Sequence, residues 1–337
     1  MVDLSTEYLG LKLKNPIVPS SSPLSKDVNS AIALEDAGAS AIIMHSLFEE
    51  KINYENEHFE RFFHQQSIGH GEAEGFHPVP EDYQSYQEKH LEQLSKLKSQ
   101  LDIPVIASLN GTTPGGWIEY GSALEAAGAD ALELNVYYLA ADPLEDSQQV
   151  ETRYIELLQS LHSHVNVPIT MKLSPHFSAL IPFTQQLQKN GAKGIALFNR
   201  FYQPDINLDT LQIESKLELS SSQESLLRIR WTAILFDYLD CSLAVTGGMH
   251  NHEDVLKALL AGADVTHMCS ALLHNGPSQI ETVLQNLKQW LEEHEYESVE
   301  QLKGSSSRQH AIDPAAYERS NYINVLDSYT SPDGVLR

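Results

Sequence analysis

Short apolar runs alternate with stretches that carry helix signals along most of the chain. The runs are rich in Val, Ile and Leu and only a few residues long, which is typical of buried strands. Helices are predicted between them at 25–37, 84–99, 114–127, 150–163, 177–190, 225–239, 251–261 and 277–293. This regular alternation of strand and helix indicates an α/β protein with a parallel sheet.

The apolar runs begin in two recurring ways. Four of them follow a glycine at a helix-to-strand junction, where a left-handed residue ends the helix. Three are entered through proline, which is tolerated at the first residue of a strand. The glycine junctions are 36–44, 126–134, 189–197 and 260–268, the proline entries begin at Asn15, Ile103 and Val167, and the remaining run begins at Cys241. Eight such units in 337 residues favour a closed (β/α)8 TIM barrel over an open Rossmann-type sheet.

Three segments interrupt the regular spacing, and each follows a strand. They are a lid-like insertion at 47–81, a shorter one at 137–149, and 200–223, which we expect to form a hairpin over the barrel mouth. Active sites of such barrels lie on that face. Residues 1–293 are predicted to form the barrel, and 294–337 a polar extension. Its segment 304–329 is too polar to be core, and we expect the extension to lie on the barrel or a partner subunit.

The amino-acid composition limits the kinds of molecule that the protein is expected to bind. The chain is 42% hydrophobic and 20% charged, which are globular values. No run approaches the roughly 18 to 20 apolar residues of a membrane span. A net charge of −24 without a basic cluster disfavours nucleic acid and anionic membranes. The two cysteines lie in predicted strands and no export signal is present, so we expect a cytoplasmic protein with a small-molecule substrate. A homodimer is compatible with these features.

Two turns of small residues follow the seventh and eighth strands. They are Thr246-Gly247-Gly248 and Cys269-Ser270-Ala271, and each precedes a predicted helix. Such turns let backbone N–H groups approach an anion, and a helix N-terminus adds partial positive charge. The loops after strands 7 and 8 are the usual phosphate site of a (β/α)8 barrel. The sequence therefore predicts a phosphate-binding site there.

Polar residues at the ends of the other strands are the candidates for chemistry. Lys172 lies in an otherwise apolar strand, and a buried charge requires a compensating partner. Asn135 and Asn199 are either structural amides or ligand-binding groups. The other strand-end candidates are Ser20, Ser21, Ser22, His45, Ser46, Ser108, Asn110 and Arg200. Together with the phosphate-binding turns, they suit a planar, hydrogen-bonding, phosphorylated cofactor.

Four histidines in the first insertion suggest a metal site at first sight. His58, His64, His70 and His77 lack the tight spacing and cysteine partners of a zinc site. Two cysteines are too few for the common iron–sulfur clusters. We therefore predict no metal and assign these histidines to a solvated or lid loop.

Several segments resemble the dihydroorotate dehydrogenase family of FMN-binding barrels, and more closely its "dihydroorotate dehydrogenase-like" branch. They are NPIVPSSSPLS, ASLNGTTPGGW, LELN, MKLSP, LFNRFYQPDI, AVTGG and CSALL, within roughly the first 277 residues. The resemblance implies FMN over the barrel mouth, in contact with Ser21, Ser22, Asn110, Asn135, Lys172, Gly247, Gly248, Cys269, Ser270 and Ala271. It also implies that Lys172 favours the anionic reduced flavin. The implied substrate contacts are Asn135, Asn199 and Arg200.

The end of the fourth strand departs from the family pattern. The family motif is Asn-x-Ser-[Ser or Cys]-Pro-Asn, whose fourth residue takes the C5 proton of dihydroorotate. Here residues 135–140 read NVYYLA, so the base position is Tyr138 and the closing asparagine is Ala140. A family lysine at the end of the second strand is His45. We therefore expect an FMN-dependent oxidoreductase that oxidises dihydroorotate poorly or not at all.

The expected reaction is hydride transfer between a small, planar, anionic substrate and flavin N5. Lys172 would tune the flavin, and Tyr138 or His45 would carry the proton. A tyrosinate at neutral pH requires nearby cations, since the unperturbed tyrosine pKa is near 10, whereas a neutral tyrosine can act as a proton donor. The alternative is that Tyr137 and Tyr138 only fill space above the flavin.

Two other classes stay open. One is a flavin-free barrel lyase, aldolase or isomerase that acts on a phosphorylated substrate, with Lys172 as a Schiff-base lysine. The other is a non-catalytic flavin-binding protein that has kept the cofactor site and lost the chemistry. A visible absorption spectrum separates the first from the flavoproteins.

Overall fold

Eight parallel strands form the barrel wall in the computed structural model, which describes residues 2–67, 83–111, 114–318 and 322–330. They are β1 (Ile17–Pro19), β2 (Ile42–Ile43), β3 (Val105–Asn110), β4 (Ala131–Asn135), β5 (Ile169–Leu173), β6 (Ala192–Leu197), β7 (Ser242–Thr246) and β8 (Val265–Met268). From β2 onward each strand pairs with the next, and β8 pairs with β1. Between β1 and β2, the Ser40 backbone N–H and hydroxyl both donate to the Ile17 carbonyl. The barrel is thus nearly closed, and the predicted (β/α)8 fold is confirmed.

A helix follows each strand and covers the outside of the barrel. The helices are α1 (Val28–Asp36), α2 (Tyr86–Gln100), α3 (Pro114–Ala126), α4 (Ser147–His162), α5 (Leu180–Lys189), α6 (Ser225–Leu235), α7 (His252–Ala261) and α8 (Ser278–Glu293). At the four glycine junctions, the glycine φ lies between 102° and 115°, a region that a residue without Cβ enters easily. The apolar faces of the helices and the outer face of the strands form one large core.

An antiparallel hairpin, Thr6–Tyr8 with Leu11–Leu13, closes the N-terminal end of the barrel. Its buried side chains pack inside the barrel against small and branched residues, which are Val18, Ala41, Ile43, Ile106, Ala131, Ala196, Ala244 and Val265. The interior positions nearer the other end are polar and buried, and include Ser108, Glu133, Thr170, Lys172 and His267. Polar groups are therefore concentrated toward the C-terminal ends of the strands.

The insertion after β2 begins with Leu47–Phe48, which runs alongside β3, and continues as a helix, Glu49–Ser67. The rest of the predicted lid-like segment 47–81, with His70 and His77, lies outside the described residues, as does the side chain of His64. His58 is described, and its ring contacts Tyr54. Among the described residues, no group of three or more His, Cys, Asp or Glu could hold a metal ion.

The insertion after β6 contains an antiparallel hairpin, Asp205–Asn207 with Gln212–Glu214. Its apolar side chains, among them Ile206 and Ile213, are exposed. The segment returning from the hairpin, with Leu217, Leu219 and Ser220, lies at the barrel mouth. The insertion therefore contains a hairpin and reaches the barrel mouth, whereas the position of the hairpin over the mouth stays a prediction.

The extension after α8 lies against the outside of the barrel up to residue 318. The Gly304 backbone N–H donates to the Leu259 carbonyl, and Val299, Leu302 and Ser307 have no exposed surface. The described part of the extension therefore packs on the barrel, and its buried apolar side chains Val299 and Leu302 precede the polar segment that begins at Gly304. None of the helices in the described residues is long and apolar enough to cross a membrane.

Candidate active site

A cavity of about 450 Å³ opens at the C-terminal ends of the strands, away from the N-terminal hairpin. Strand register brings its floor together, since Asn110 is paired with Asn135 and Asn135 with Lys172. The predicted residues that line it are Ser21, Ser22, Asn110, Asn135, Lys172, Asn199, Arg200, Gly247, Gly248, Cys269 and Ser270. Four predicted residues do not line it, namely His45, Ser108, Tyr138 and Ala271.

The turn after β7 has no room for side chains. Gly247 and Gly248 have φ of 91° and 81°, in the left-handed region. A Cβ on Gly248 would lie 2.4 Å from the Ser225 backbone nitrogen, and one on Gly247 would lie 2.8 Å from Nε of Arg228. Arg228 holds the turn from behind, because its Nε donates to the Thr246 carbonyl at 2.6 Å. The turn therefore exposes its backbone to the cavity.

The turn after β8 lies beside it in the cavity wall. Ser270 begins a short helix, Ser270–Asn275, and its hydroxyl accepts hydrogen bonds from the backbone N–H and hydroxyl of Ser220 at 3.1 and 2.9 Å. The segment returning from the β6 insertion is thereby tied to this turn. Ala271 lies in the hydrophobic core with no exposed surface. Its side chain does not line the cavity, and the expected approach of the backbone of this turn to a phosphate stays a prediction.

Lys172 reaches the cavity floor from β5 and is 7% exposed. Its Nζ lies 3.4 Å from Oε1 of Glu133, a fully buried carboxylate on β4. Glu133 is the compensating partner that the lone lysine required. Sequence reasoning did not identify it, although the LELN motif contains it. The ion pair places a positive charge at the floor of the cavity.

His267 on β8 also lines the cavity and was missed at first. Its side chain is 1% exposed, and neither ring nitrogen has a hydrogen-bond partner among the described residues. Burial, assisted by the nearby charge of Lys172, lowers the pKa of His267 to about 3. The ring is therefore neutral at physiological pH. The alternation of inward and outward residues along VTHM could have revealed that His267 faces the barrel interior.

Two side-chain amides meet on one side of the cavity. Nδ2 of Asn199 donates to Oδ1 of Asn135 at 2.6 Å, and the Asn199 backbone N–H donates to the Leu173 carbonyl. Arg200, the next residue, is engaged with the β6 insertion, since its Nε donates to Glu224 at 3.0 Å and its Nη1 to the Glu218 carbonyl. The amide pair thus leaves one Asn135 N–H₂ group and one Asn199 carbonyl for other partners.

The two tyrosines after β4 point in different directions. The hydroxyl of Tyr138 donates to Oε2 of Glu145 at 2.5 Å, and the Arg153 guanidinium lies 4.1 Å from its ring centre. Tyr137 lines the cavity instead, with its ring stacked on Phe201 at a centroid distance of 4.1 Å. The structure therefore does not bring Tyr138 to the candidate active site, because its hydroxyl is held by the loop that precedes α4.

His45 faces away from the cavity toward helix α2. Its ring packs edge-on against His90 at 4.6 Å, and its backbone N–H donates to the Ser25 hydroxyl. Burial, followed by the charges of Lys26 and Lys51, lowers its pKa to about 4. A neutral ring in this place neither supplies a cation to the cavity nor exchanges a proton with a ligand there. The expectation of a catalytic His45 is not supported by this geometry.

A (β/α)8 barrel with a glycine turn after β7 and a small-residue turn after β8, at a cavity whose floor carries a buried lysine from β5, belongs to the class of phosphate-binding barrel enzymes. The family model described as dihydroorotate dehydrogenase matches residues 3–291. The chain belongs to the dihydroorotate dehydrogenase family. Members are FMN flavoproteins and oxidoreductases that act on CH–CH bonds, and this chain shares that cofactor and reaction class.

Three relatives illustrate the range of the family. The catalytic subunit of a dihydroorotate dehydrogenase B (NAD(+)) from Pyrococcus abyssi is 26% identical over 314 residues, covering 89% of this chain and 98% of the relative. Its counterpart from Thermoplasma acidophilum is 21% identical, covering 91% and 100%. The NAD-dependent dihydropyrimidine dehydrogenase subunit PreA of Escherichia coli is 22% identical, covering 95% and 80%. At these identities the substrate does not follow from similarity.

The residues of the cavity fit FMN. In the turn after β7, a Cβ on Gly247 or Gly248 would collide with Arg228 or with the Ser225 backbone, so this turn keeps a bare backbone beside the cavity, as suits the close approach of a phosphate. Lys172 and the two amides offer charge and hydrogen bonds to a planar polar ring, and the serines that follow β1 are small enough to lie beside it. The unpartnered nitrogens of His267 lie at the cavity floor.

Proposed function

We propose that this protein transfers hydride between FMN and a small, planar, anionic substrate other than dihydroorotate. The observation that carries the proposal is one cavity that combines the phosphate-binding turns, Lys172 and the Asn135–Asn199 pair, while the family's base position faces away. FMN supplies the hydride chemistry when bound. Gly247, Gly248, Cys269 and Ser270 would hold its phosphate, and Lys172 would lie against its ring.

The substrate is oriented by the amides and excluded from water by the cavity wall. The free Asn135 and Asn199 groups match a ring that carries both carbonyl and N–H edges. The name of the Escherichia coli relative, a dihydropyrimidine dehydrogenase subunit, supports a heterocyclic substrate of this type. Leu217 and Phe48 line the cavity and limit solvent around the ring.

Tyr137 replaces Tyr138 as the proton carrier in this proposal. It is the tyrosine that lines the cavity, and a neutral phenol can donate a proton to a product that receives hydride. The favoured direction is therefore reduction of an unsaturated substrate. The cytoplasmic location and the homodimer expected from the sequence stay predictions.

The first test is the reaction with dihydroorotate. The purified protein is expected to show flavin absorption bands, and anaerobic dihydroorotate is expected to leave them unbleached, because the residue at the family's base position is bonded to Glu145. Dithionite, which reduces any accessible flavin, is the control. Rapid bleaching by dihydroorotate would contradict the proposal.

The tyrosine assignment is tested with a matched pair of variants. In Tyr137→Phe, reoxidation of the reduced flavin by an unsaturated, planar and anionic pyrimidine other than orotate, such as uracil-5-carboxylate, is expected to slow by about 100-fold, the usual contribution of a general acid. In Tyr138→Phe we expect less than about a twofold change. Equal effects in both variants would remove Tyr137 from the mechanism.

One observation supports the non-catalytic alternative: Tyr138, at the family's base position, is turned away from the cavity. It predicts a yellow protein whose reduced flavin is reoxidised by none of the pyrimidines. The ion pair of Lys172 with the buried Glu133 counts against the flavin-free aldolase alternative, because a charged amine is a poor nucleophile. A colourless protein that borohydride traps with a carbonyl substrate would support that alternative.

A further inference from the structure

Three serine hydroxyls connect the cavity with the buried Glu133. Oγ of Ser21 lies 3.1 Å from Oγ of Ser46, which lies 2.9 Å from Oγ of Ser108. Ser108 donates in turn to Oε1 of Glu133 at 3.3 Å. Ser21 and Ser46 line the cavity, whereas Ser108 and Glu133 have no exposed surface. The hydroxyls therefore form a continuous hydrogen-bonded chain from the ligand site into the barrel.

The direction of these hydrogen bonds follows from the number of hydrogens. A serine hydroxyl has a single hydrogen to donate. Because that of Ser108 goes to Glu133, Ser46 must donate to Ser108, and Ser21 to Ser46. All three hydrogens point from the cavity toward the carboxylate. A proton that binds the Ser21 oxygen can therefore move inward, with each hydroxyl releasing its own hydrogen to the next oxygen.

The groups that face Glu133 come from three other elements. Nζ of Lys172 on β5 lies 3.4 Å from Oε1, and Nδ1 of His267 on β8 lies 3.8 Å from Oε2. The Tyr8 hydroxyl of the N-terminal hairpin also faces it, and burial raises the pKa of Tyr8. Oε2 of Glu133 has no hydrogen-bond partner in the described part of the chain. Since His267 and Tyr8 are neutral, Lys172 balances the carboxylate.

The geometry points to Glu133 as a group that takes up a proton, through Ser21, Ser46 and Ser108, when two electrons enter the cofactor beside Lys172. This inference rests on the proposed FMN function. Negative charge arriving in the cavity competes with Glu133 for Lys172, and a nearby like charge disfavours an ionised carboxylate. The incoming proton forms an O–H bond on Glu133 Oε1, and after transfer the three hydroxyls point the opposite way. The electrons come from the substrate or from the reductant of the experiment.

The test is the pH dependence of the midpoint potential of the FMN-loaded protein. For a two-electron couple, each coupled proton contributes about 30 mV per pH unit. One proton on the flavin and one on Glu133 give about 60 mV per pH unit in the wild type, and Glu133→Gln is expected to halve this slope. Equal slopes in the two proteins would overturn the inference.

A second measurement uses the wild type alone and does not depend on the stability of the variant. The infrared difference spectrum between reduced and oxidised protein is expected to contain the carbonyl band of a newly protonated carboxylic acid. Its absence would overturn the inference even if the slope were steep. His267→Asn is expected to keep the steep slope, and its loss would assign the proton to His267 instead.

The serine path is tested by its rate. Ser108→Ala is expected to keep the pH slope of the midpoint potential. Proton uptake after rapid photoreduction, followed with a pH indicator, is expected to be at least tenfold slower in this variant. Thr170→Val is the matched control, because Thr170 is another fully buried hydroxyl of the barrel interior that lies outside the chain of serines. Equal rates in both variants would exclude the path. A purified protein without flavin would overturn the proposed function together with this inference. A yellow protein whose midpoint potential has the same pH slope in the wild type and in Glu133→Gln would overturn the inference alone.

Discussion

Gly248 and Gly276 both have a positive φ, 81° and 78°, but different surroundings. A Cβ on Gly248 would lie 2.4 Å from a backbone nitrogen, whereas one on Gly276 would meet no atom within 4 Å. Of these two glycines, Gly248 lines the cavity and Gly276 does not. The two positions therefore separate the cost of a strained conformation from the loss of space for a ligand.

Gly248→Ala is expected to lose most of its FMN, because the turn must move away from Ser225 to accept the methyl group. Gly276→Ala should keep its FMN and lose only about 1–3 kcal/mol from backbone strain, because a φ of 78° with a ψ of 179° is a conformation that residues other than glycine rarely adopt. The measurement is the ratio of flavin absorbance to protein after gel filtration, with thermal unfolding alongside. Full flavin occupancy in Gly248→Ala would exclude this turn as the phosphate site.

Individual side chains divide into those that the sequence reveals and those that it does not. Lys172 could be identified because a lysine in an apolar strand is conspicuous. Its partner Glu133 depends on which strands become neighbours, and that is a tertiary fact. Tyr137 and Tyr138 lie beyond the end of β4, where strand alternation no longer tells which side chain faces inward. His45 likewise lies beyond the end of its strand, β2, and its side chain faces outward, toward α2.

At the scale of elements, local signals were sufficient for the barrel. Glycine at a helix end and proline at a strand start act within a few residues, so the eight units could be counted without tertiary information. The hairpin in 200–223 could also be predicted, but its direction depends on long-range packing that local signals do not contain. Burial of Leu302 in the extension depends in the same way on a groove formed by distant helices.

Helix α2 carries a pH-dependent contact with the end of β2. His90 is 2% exposed, and burial, with a contribution from His45, lowers its pKa to about 3. The unfolded histidine titrates near 6.5. Because the unfolded state binds more protons between these two values, the contact is fully stable above about pH 6.5 and loses stability as the pH falls toward 3.

We expect the free energy of unfolding to fall between pH 7 and 5 by up to about 1.4 kcal/mol per pH unit for each such histidine. His90→Leu should reduce this slope, since it removes a group that must be protonated in the unfolded state. His164, which is exposed, provides the control variant His164→Leu. Urea unfolding at several pH values measures the slopes, and identical slopes in both variants would show that the contact is not responsible.

At the scale of the whole molecule, the extension is part of the folded unit although the family match ends at residue 291. Leu302 is fully buried against the barrel, whereas Ile312 in the same extension is fully exposed. Lys303 adds an ion pair to Asp264 at the start of β8, at 3.1 Å. The extension therefore stabilises the side of the barrel opposite the active site.

Leu302→Ala is expected to lower the free energy of unfolding by about 2–5 kcal/mol, the usual effect of removing a buried leucine. Ile312→Ala should have almost no effect, because its side chain is already in water. Chemical denaturation monitored by tryptophan fluorescence compares them. Equal stabilities would mean that the extension detaches without cost.

The hairpin that closes the N-terminal end of the barrel has a consequence for synthesis on the ribosome. Its Thr6 hydroxyl bonds to the Asp264 carbonyl, 258 residues later, and Leu9 bonds to Ser242. At 5–20 residues per second, the first strands wait on the order of ten seconds or more for these partners. Throughout translation, the emerging N-terminal segment therefore exposes apolar side chains that a chaperone can bind, and the barrel closes only when the last third of the chain has left the ribosome.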